Sequence, residues 1–237
     1  MLTFTRLVDI LAIVTAVNRR TLRSHAILPP NQIVGLAPTA PNDMTGTLYQ
    51  AYQPYLDVIN GCVPFPVVDI NCNANAGLPL TGSQNSGCSS NLGQIYSRGA
   101  ATNGRYAIIY AWYMPTNPPS AGLGHRHEWE GVIIWFASAI STSPANILAV
   151  CPSAHGKWKC SKTFRRTGSG VWISYSGFWP IDYSMWIGVK QGGQQPLIAW
   201  ESLPALVRDV LQTTNFGSAT VPFKDATFMR NIAAATS

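Results

Sequence analysis

Two apolar runs joined by a short loop restrict the architecture of this chain more than any other feature. In residues 105–114, Tyr106, Ile108, Tyr110 and Trp112 fall on one face of an alternating strand, and Ala107, Ile109, Ala111 and Tyr113 on the other. Both faces are apolar, so this strand needs cover on both sides, as in a sandwich interior. After a loop rich in Pro and Gly at 116–124, the second strand, residues 128–136, ends in the unbroken apolar run Gly131-Val-Ile-Ile-Trp-Phe. The short connection predicts antiparallel neighbours. Composition agrees: 20 Gly and 17 Pro alongside eight Trp and nine Tyr favour a turn-rich β fold, and only 11% of residues are charged.

Other elements are weaker. Residues 147–150, 171–175 and 196–200 read as strands, and 47–55 as a helix or a strand ended by Pro54. Pro64 and Pro66 leave 62–70 as an edge strand at best. Residues 71–90, rich in Asn, Gly and Ser, read as a long loop. Ser202 is a candidate N-cap for a helix from 203 to about 212, with Pro204 in its first turn. The sum is a mainly β fold with flanking helices, a β-sandwich of two sheets.

The 237 residues suit one domain, 25–237, preceded by a leader or N-terminal extension, 1–24. Residues 7–17 are apolar and follow Arg6, too few to span a bilayer. They read as a secretory leader, although Asp9 interrupts them and no clean cleavage signal follows; a buried or surface helix is the other reading. Arg19-Arg20 can mark processing, with a mature start between 19 and 31. Five cysteines allow at most two bridges, which need an oxidising compartment. Cys151 and Cys160 bracket a short loop and are candidates for one.

The net charge of +6 favours encounter with anionic surfaces. It is uneven: residues 132–181 hold no acid but five bases, Lys157, Lys159, Lys162, Arg165 and Arg166. A solvated basic face is the plain alternative. A nucleic-acid partner is not expected, because no recognition motif is present and the bases do not run along a helix.

Chemistry concentrates in Gly124-His-Arg-His-Glu-Trp-Glu130, which holds two of the four histidines and two of the three glutamates. Imidazole nitrogens and carboxylate oxygens are metal-ligand atoms. In a regular strand His125, His127 and Trp129 share one face and Arg126, Glu128 and Glu130 the other. Bringing His125 to the glutamates therefore needs irregular backbone, which Gly122 and Gly124 permit.

This heptapeptide resembles the signature of the necrosis- and ethylene-inducing peptide 1-like proteins, secreted toxins of plant-associated microbes, which usually have Asp at the fifth place. Tyr110-Ala-Trp-Tyr-Met-Pro, Asn60-Gly-Cys-Val-Pro-Phe-Pro and Asn215-Phe-Gly-Ser-Ala-Thr-Val-Pro-Phe resemble the family too, so the likeness covers roughly residues 33–228. It implies a two-sheet sandwich like that of the actinoporin pore-formers. It implies a Cys62–Cys88 bridge, closing a loop worth about 3–4 kcal/mol on the chain-entropy argument. With Cys151 paired to Cys160, Cys72 stands outside both bridges.

The resemblance also implies a divalent-cation site, Ca²⁺ or Mg²⁺, at Asn117, His125, Glu128 and Glu130, with His127 packing or hydrogen-bonding behind the ligands. Asn117 and Glu128 stand where the family usually has Asp, so weaker cation binding is expected. Asp69, Asn73, Trp179 and Asp182 match, more loosely, positions that contact sugar and membrane, and His155 is expected to line the same cavity. The implied partner is glycosyl inositol phosphoryl ceramide, a sphingolipid of plant plasma membranes, and residues 107–129 resemble a stretch sensed by plant immune receptors. The implied activity is metal-dependent membrane damage by an extracellular protein, monomeric in solution, that induces necrosis and ethylene. Two rivals stand beside it: a non-lytic glycolipid or carbohydrate binder, and a metal-dependent hydrolase.

Overall fold

The computed structural model describes residues 25–236 apart from 121, 179 and 180; for 178, 181 and 182 it describes only the backbone. The expected leader at 1–24 lies outside the described residues. In chain order the elements are β1 (Ile27–Leu28), α1 (Met44–Ala51), β2 (Tyr55–Val58), β3 (Ala74–Asn75), β4 (Ile95–Thr102), β5 (Arg105–Met114), β6 (Glu128–Phe136), β7 (Ile147–Ala154), β8 (Lys157–Trp158), β9 (Arg166–Thr167), β10 (Gly170–Phe178), β11 (Ile181–Ile187), β12 (Leu197–Ala199), α2 (Ala205–Thr213) and α3 (Phe228–Ala234).

The protein is mainly β. Its large sheet runs β12-β4-β5-β6-β7-β11-β10-β2, with β8 beside β7 and β9 beside β10. β5 and β6 are antiparallel over their whole shared length, from Tyr106 opposite Phe136 to Met114 opposite Glu128. Every residue of both strands is buried except Arg105, as two apolar faces require. The ladder narrows to one pair, Ser184 opposite Ala154, where β7 passes to β11. The sheet curls at this seam into two halves that share β7.

Large aromatics fill the interior, and several of them place a polar atom on a hydrogen-bond partner. Trp112 donates its indole N–H to Gln195 Oε1 at 2.7 Å. Tyr110 donates to the Tyr49 carbonyl at 2.9 Å. Tyr96, Trp129 and Phe223 pack as one cluster. At the start of α1, Asp43 is the N-cap: its Oδ1 accepts from the amides of Thr45 and Gly46 at 2.8 and 3.2 Å. α2 covers the core with Val207, Val210 and Leu211, and α3 with Phe228 and Ile232.

Two expectations need correction, those for residues 47–55 and for Ser202. Residues 47–55 are neither all helix nor all strand: α1 ends at Ala51 and β2 begins after Pro54. Residues 62–70, expected to be an edge strand at best, form no named strand and have a single bridge, Val68 to Ala74, since two prolines remove donors a ladder needs. Ser202 is not a helix cap; it lies in the 3-10 turn Trp200–Ser202, and α2 starts behind Pro204, whose side chain offers no acceptor. β4, β11 and α3 were not anticipated.

Candidate functional site

The loop between β5 and β6 folds back on itself through a paired Asn117 and His125. The Asn117 amide donates to the His125 carbonyl at 2.9 Å, and the His125 amide to the Asn117 carbonyl at 3.2 Å. Gly124 makes this turn possible. Its φ is +88°, and a Cβ there would collide with the Asn117 carbonyl oxygen. Irregular backbone therefore sits before β6, and His125 swings to the glutamate face.

Glu128 and Glu130 project from the same side of β6, both nearly buried at 7% and 6% exposure. His125 Nε2 lies 3.4 Å from Glu128 Oε2. His125 Nδ1 is 2.6 Å from the His127 carbonyl. That oxygen can only accept, so Nδ1 carries a proton and Nε2 is the nitrogen turned to the carboxylate. Glu128 Oε1 accepts from the Trp129 amide at 2.9 Å, while the Asn117 side-chain amide donates to Glu128 Oε2. Ser153 Oγ holds Glu130: it accepts from the Gly131 amide at 2.8 Å and donates to the Glu130 carboxylate, with the Gly131 carbonyl a second acceptor at 2.9 Å.

His127 faces the opposite way. It lies edge-on to Phe216 and its Nδ1 is 2.6 Å from Tyr113 Oη. Burial first, then Arg126 and His125, push its pKa down to about 4. The ring is neutral near pH 7, and Tyr113, whose own pKa burial raises, donates to it.

His125, Glu128 and Glu130 form one side of an open cavity of about 370 Å³. A second wall is the turn of β7 into β8, with Ser153, His155, Lys157 and Trp158. A third comes from the C-terminal region, with Ser218, Thr220, Thr227 and Arg230. Tyr183 of β11 also contributes. The Cys151–Cys160 bridge ties the second wall at both ends, and a Cys62–Cys88 bridge is also present; Cys72 lies outside both. Asn117 is fully buried, and its side-chain amide reaches the cavity's Glu128.

Other candidates lie elsewhere. Asp69 and Asn73 are not among the cavity's lining residues. Asp69 Oδ1 accepts from the amides of Asn71 and Asn73, and Oδ2 from the Asn73 side chain, all at 2.9 Å, so the pair closes a turn on itself. Trp179 lies outside the described residues, as does the Asp182 side chain.

Residues 46–235 match the family described as Necrosis inducing protein (NPP1). The chain belongs to this family. NLP effector protein 10 of Phytophthora capsici is 38% identical over 226 residues, covering 93% of this chain and 96% of the relative. Among solved structures, NLPPya in complex with mannosamine is 39% identical with a TM-score of 0.83, covering 90% of this chain and all of that one. The non-toxic HaNLP3 protein is 32% identical with a TM-score of 0.82, covering 87% and 98%.

Reading the sequence of this family member missed Ser153, Trp158, Tyr183, Thr227 and Arg230 as cavity residues. The block beginning at Asn215 did carry a signal, since Ser218 to Thr220 lie within it and line the cavity. Nothing in the sequence marks Arg230, which lies a hundred residues beyond Glu130.

Proposed function

We propose that this chain is a secreted cytolytic toxin that grips the sugar end of glycosyl inositol phosphoryl ceramide outside plant cells and damages the plasma membrane, inducing necrosis and ethylene. One observation carries the reading: two buried carboxylates and an imidazole face an open, polar cavity in a fold whose solved neighbour is in complex with an amino sugar. Carboxylates and hydroxyls suit sugar hydroxyls and ammonium groups. The basic run from Lys157 steers the protein to anionic lipid. The chain acts as a monomer that disrupts the bilayer and not as a catalyst.

A divalent cation, Ca²⁺ or Mg²⁺, belongs to this proposal. Among the described residues no group of three His, Cys, Asp or Glu side chains is arranged as a ready-made metal cage. A hard cation needs oxygen donors of mixed kind, and here Glu128, Glu130 and the Asn117 amide supply them, with His125 beside them. The Asn117 amide now presents its nitrogen to Glu128; half a turn of that amide presents its oxygen instead. Binding is therefore weaker than with an acid at 117. When bound, the ion orders the loop around His125.

Residues 107–129 are a proposed recognition segment for a plant immune receptor. Residues 107–114 are wholly buried, so a receptor reading them meets this stretch after the domain is cleaved or unfolded. A non-lytic glycolipid binder is the second reading, favoured by Asn117 and by the non-toxic neighbour.

Dye release from vesicles containing plant sphingolipid separates these readings. The parent should release dye with Ca²⁺ and little without it, and Glu130→Ala should release none. Vesicle binding without leakage selects the second reading, and neither binding nor leakage removes both.

A further inference from the structure

We infer that the cavity carries a separate anion subsite, formed by Lys157 and Arg230, that takes a phosphate joined to the bound sugar. This deepens the function proposed above and rests on its sugar reading. The two bases come from different walls. Lys157 opens β8 behind the Cys151–Cys160 bridge, and Arg230 lies on α3, which packs against β8. Both are exposed, and both line the cavity that Glu128 and Glu130 floor.

Among the described residues, neither base has a hydrogen-bond or ion-pair partner. Arg98 shows what a structural arginine looks like in this molecule. It is paired to Asp225 at 2.7 Å, donates to the Phe223 carbonyl and stacks over Trp200 and Phe228. Arg230 has none of these ties. A guanidinium and an ammonium at the rim of a cavity, with their donors unspent, match the oxygens of a phosphate.

The cavity is thus divided by charge. Its carboxylate floor accepts from hydroxyls or an ammonium group, and its basic rim donates to an anion. A neutral sugar satisfies only the floor. A sugar joined to phosphate satisfies both, whether it arrives as a lipid head group or as a free sugar phosphate.

The test is calorimetry of the full chain with glucosamine, glucosamine 6-phosphate and inorganic phosphate, comparing the parent with Lys157→Gln/Arg230→Gln. Both positions are exposed, so the variant should keep the parent's melting temperature. The parent should bind the phosphate ester about tenfold more tightly than glucosamine, as one or two charge-assisted contacts allow. The variant should lose that preference while its glucosamine affinity stays within about twofold, the expected insensitivity of a contact absent from the ligand.

Equal affinity of the parent for the ester and the plain sugar overturns the subsite and leaves the sugar reading standing. Equal weakening of both ligands in the variant also overturns it. Phosphate binding without glucosamine binding keeps the subsite and removes the sugar reading, and binding of neither removes both. Competition of glucosamine 6-phosphate against vesicles carrying a phosphoinositol glycolipid then separates the sources. Displacement assigns the subsite to the lipid head group, and failure to displace assigns it to soluble sugar phosphate.

Discussion

The two disulfides tie down loops of very different character. Cys62–Cys88 spans 26 positions and Cys151–Cys160 spans nine. In the long loop Asp69 accepts three hydrogen bonds from its own neighbours, and none of the residues between the cysteines lines the cavity beside Glu128 and Glu130. In the short loop Ser153, His155, Gly156, Lys157 and Trp158 all line that cavity. One bridge therefore serves the fold and the other the shape of a binding wall. A cross-link lowers the entropy of the unfolded chain in proportion to the logarithm of loop length. What it does in the folded state depends on where the enclosed side chains point.

The largest effect should come from opening the long loop. The Cys62→Ala/Cys88→Ala variant should lose about 3.5 kcal/mol of stability on the loop-closure relation for this spacing. Its affinity for mannosamine, measured well below the melting temperature, should match the parent's. Urea denaturation and calorimetry together check both halves. A drop in affinity as large as the drop in stability would break the comparison, because the long loop would then shape the site.

Opening the short loop should cost less stability and more function. The same relation gives about 2.6 kcal/mol for Cys151→Ala/Cys160→Ala. Affinity for mannosamine should fall about tenfold, since a wall that must be ordered on binding gives up part of the binding free energy. Unchanged affinity in a folded variant would show that the β7 ladder holds this wall without the bridge.

This division also explains what could be read in advance. β5 and β6 were legible because every side chain from Tyr106 to Met114 is large or apolar enough to need cover. β4 was not, because its second half, Arg98-Gly-Ala-Ala-Thr, is small and half-exposed; it is a strand because β5 pairs with it from Ala111 to Arg105. α3 is seven residues long and lacks a side-chain cap, so only its packing of Phe228 and Ile232 makes it helical. At the site, His125, Glu128 and Glu130 were legible from chemistry and spacing. Asp69 and Asn73 were named from a looser match, and in this structure their hydrogen bonds are local. Arg230 and Tyr183 reach the cavity only through tertiary packing.

The smallest and sharpest test sets one side chain from each loop against the other. Asp69→Ala leaves two part-buried amides and the Asn73 side chain without their acceptor, a loss of about 1–3 kcal/mol. Mannosamine binding should be untouched, because that turn lies away from the cavity. Ser153→Ala removes one hydroxyl between Gly131 and Glu130 and should cost about 1 kcal/mol of stability. It also frees the Glu130 carboxylate to rotate, so affinity should fall a few-fold, as expected when a ligand-facing group loses its support. Stability and affinity should thus rank the two variants in opposite order. If Asp69→Ala instead weakened sugar binding more than Ser153→Ala, the long loop would be part of the binding surface, and the turn around Asp69 would have to open toward the ligand.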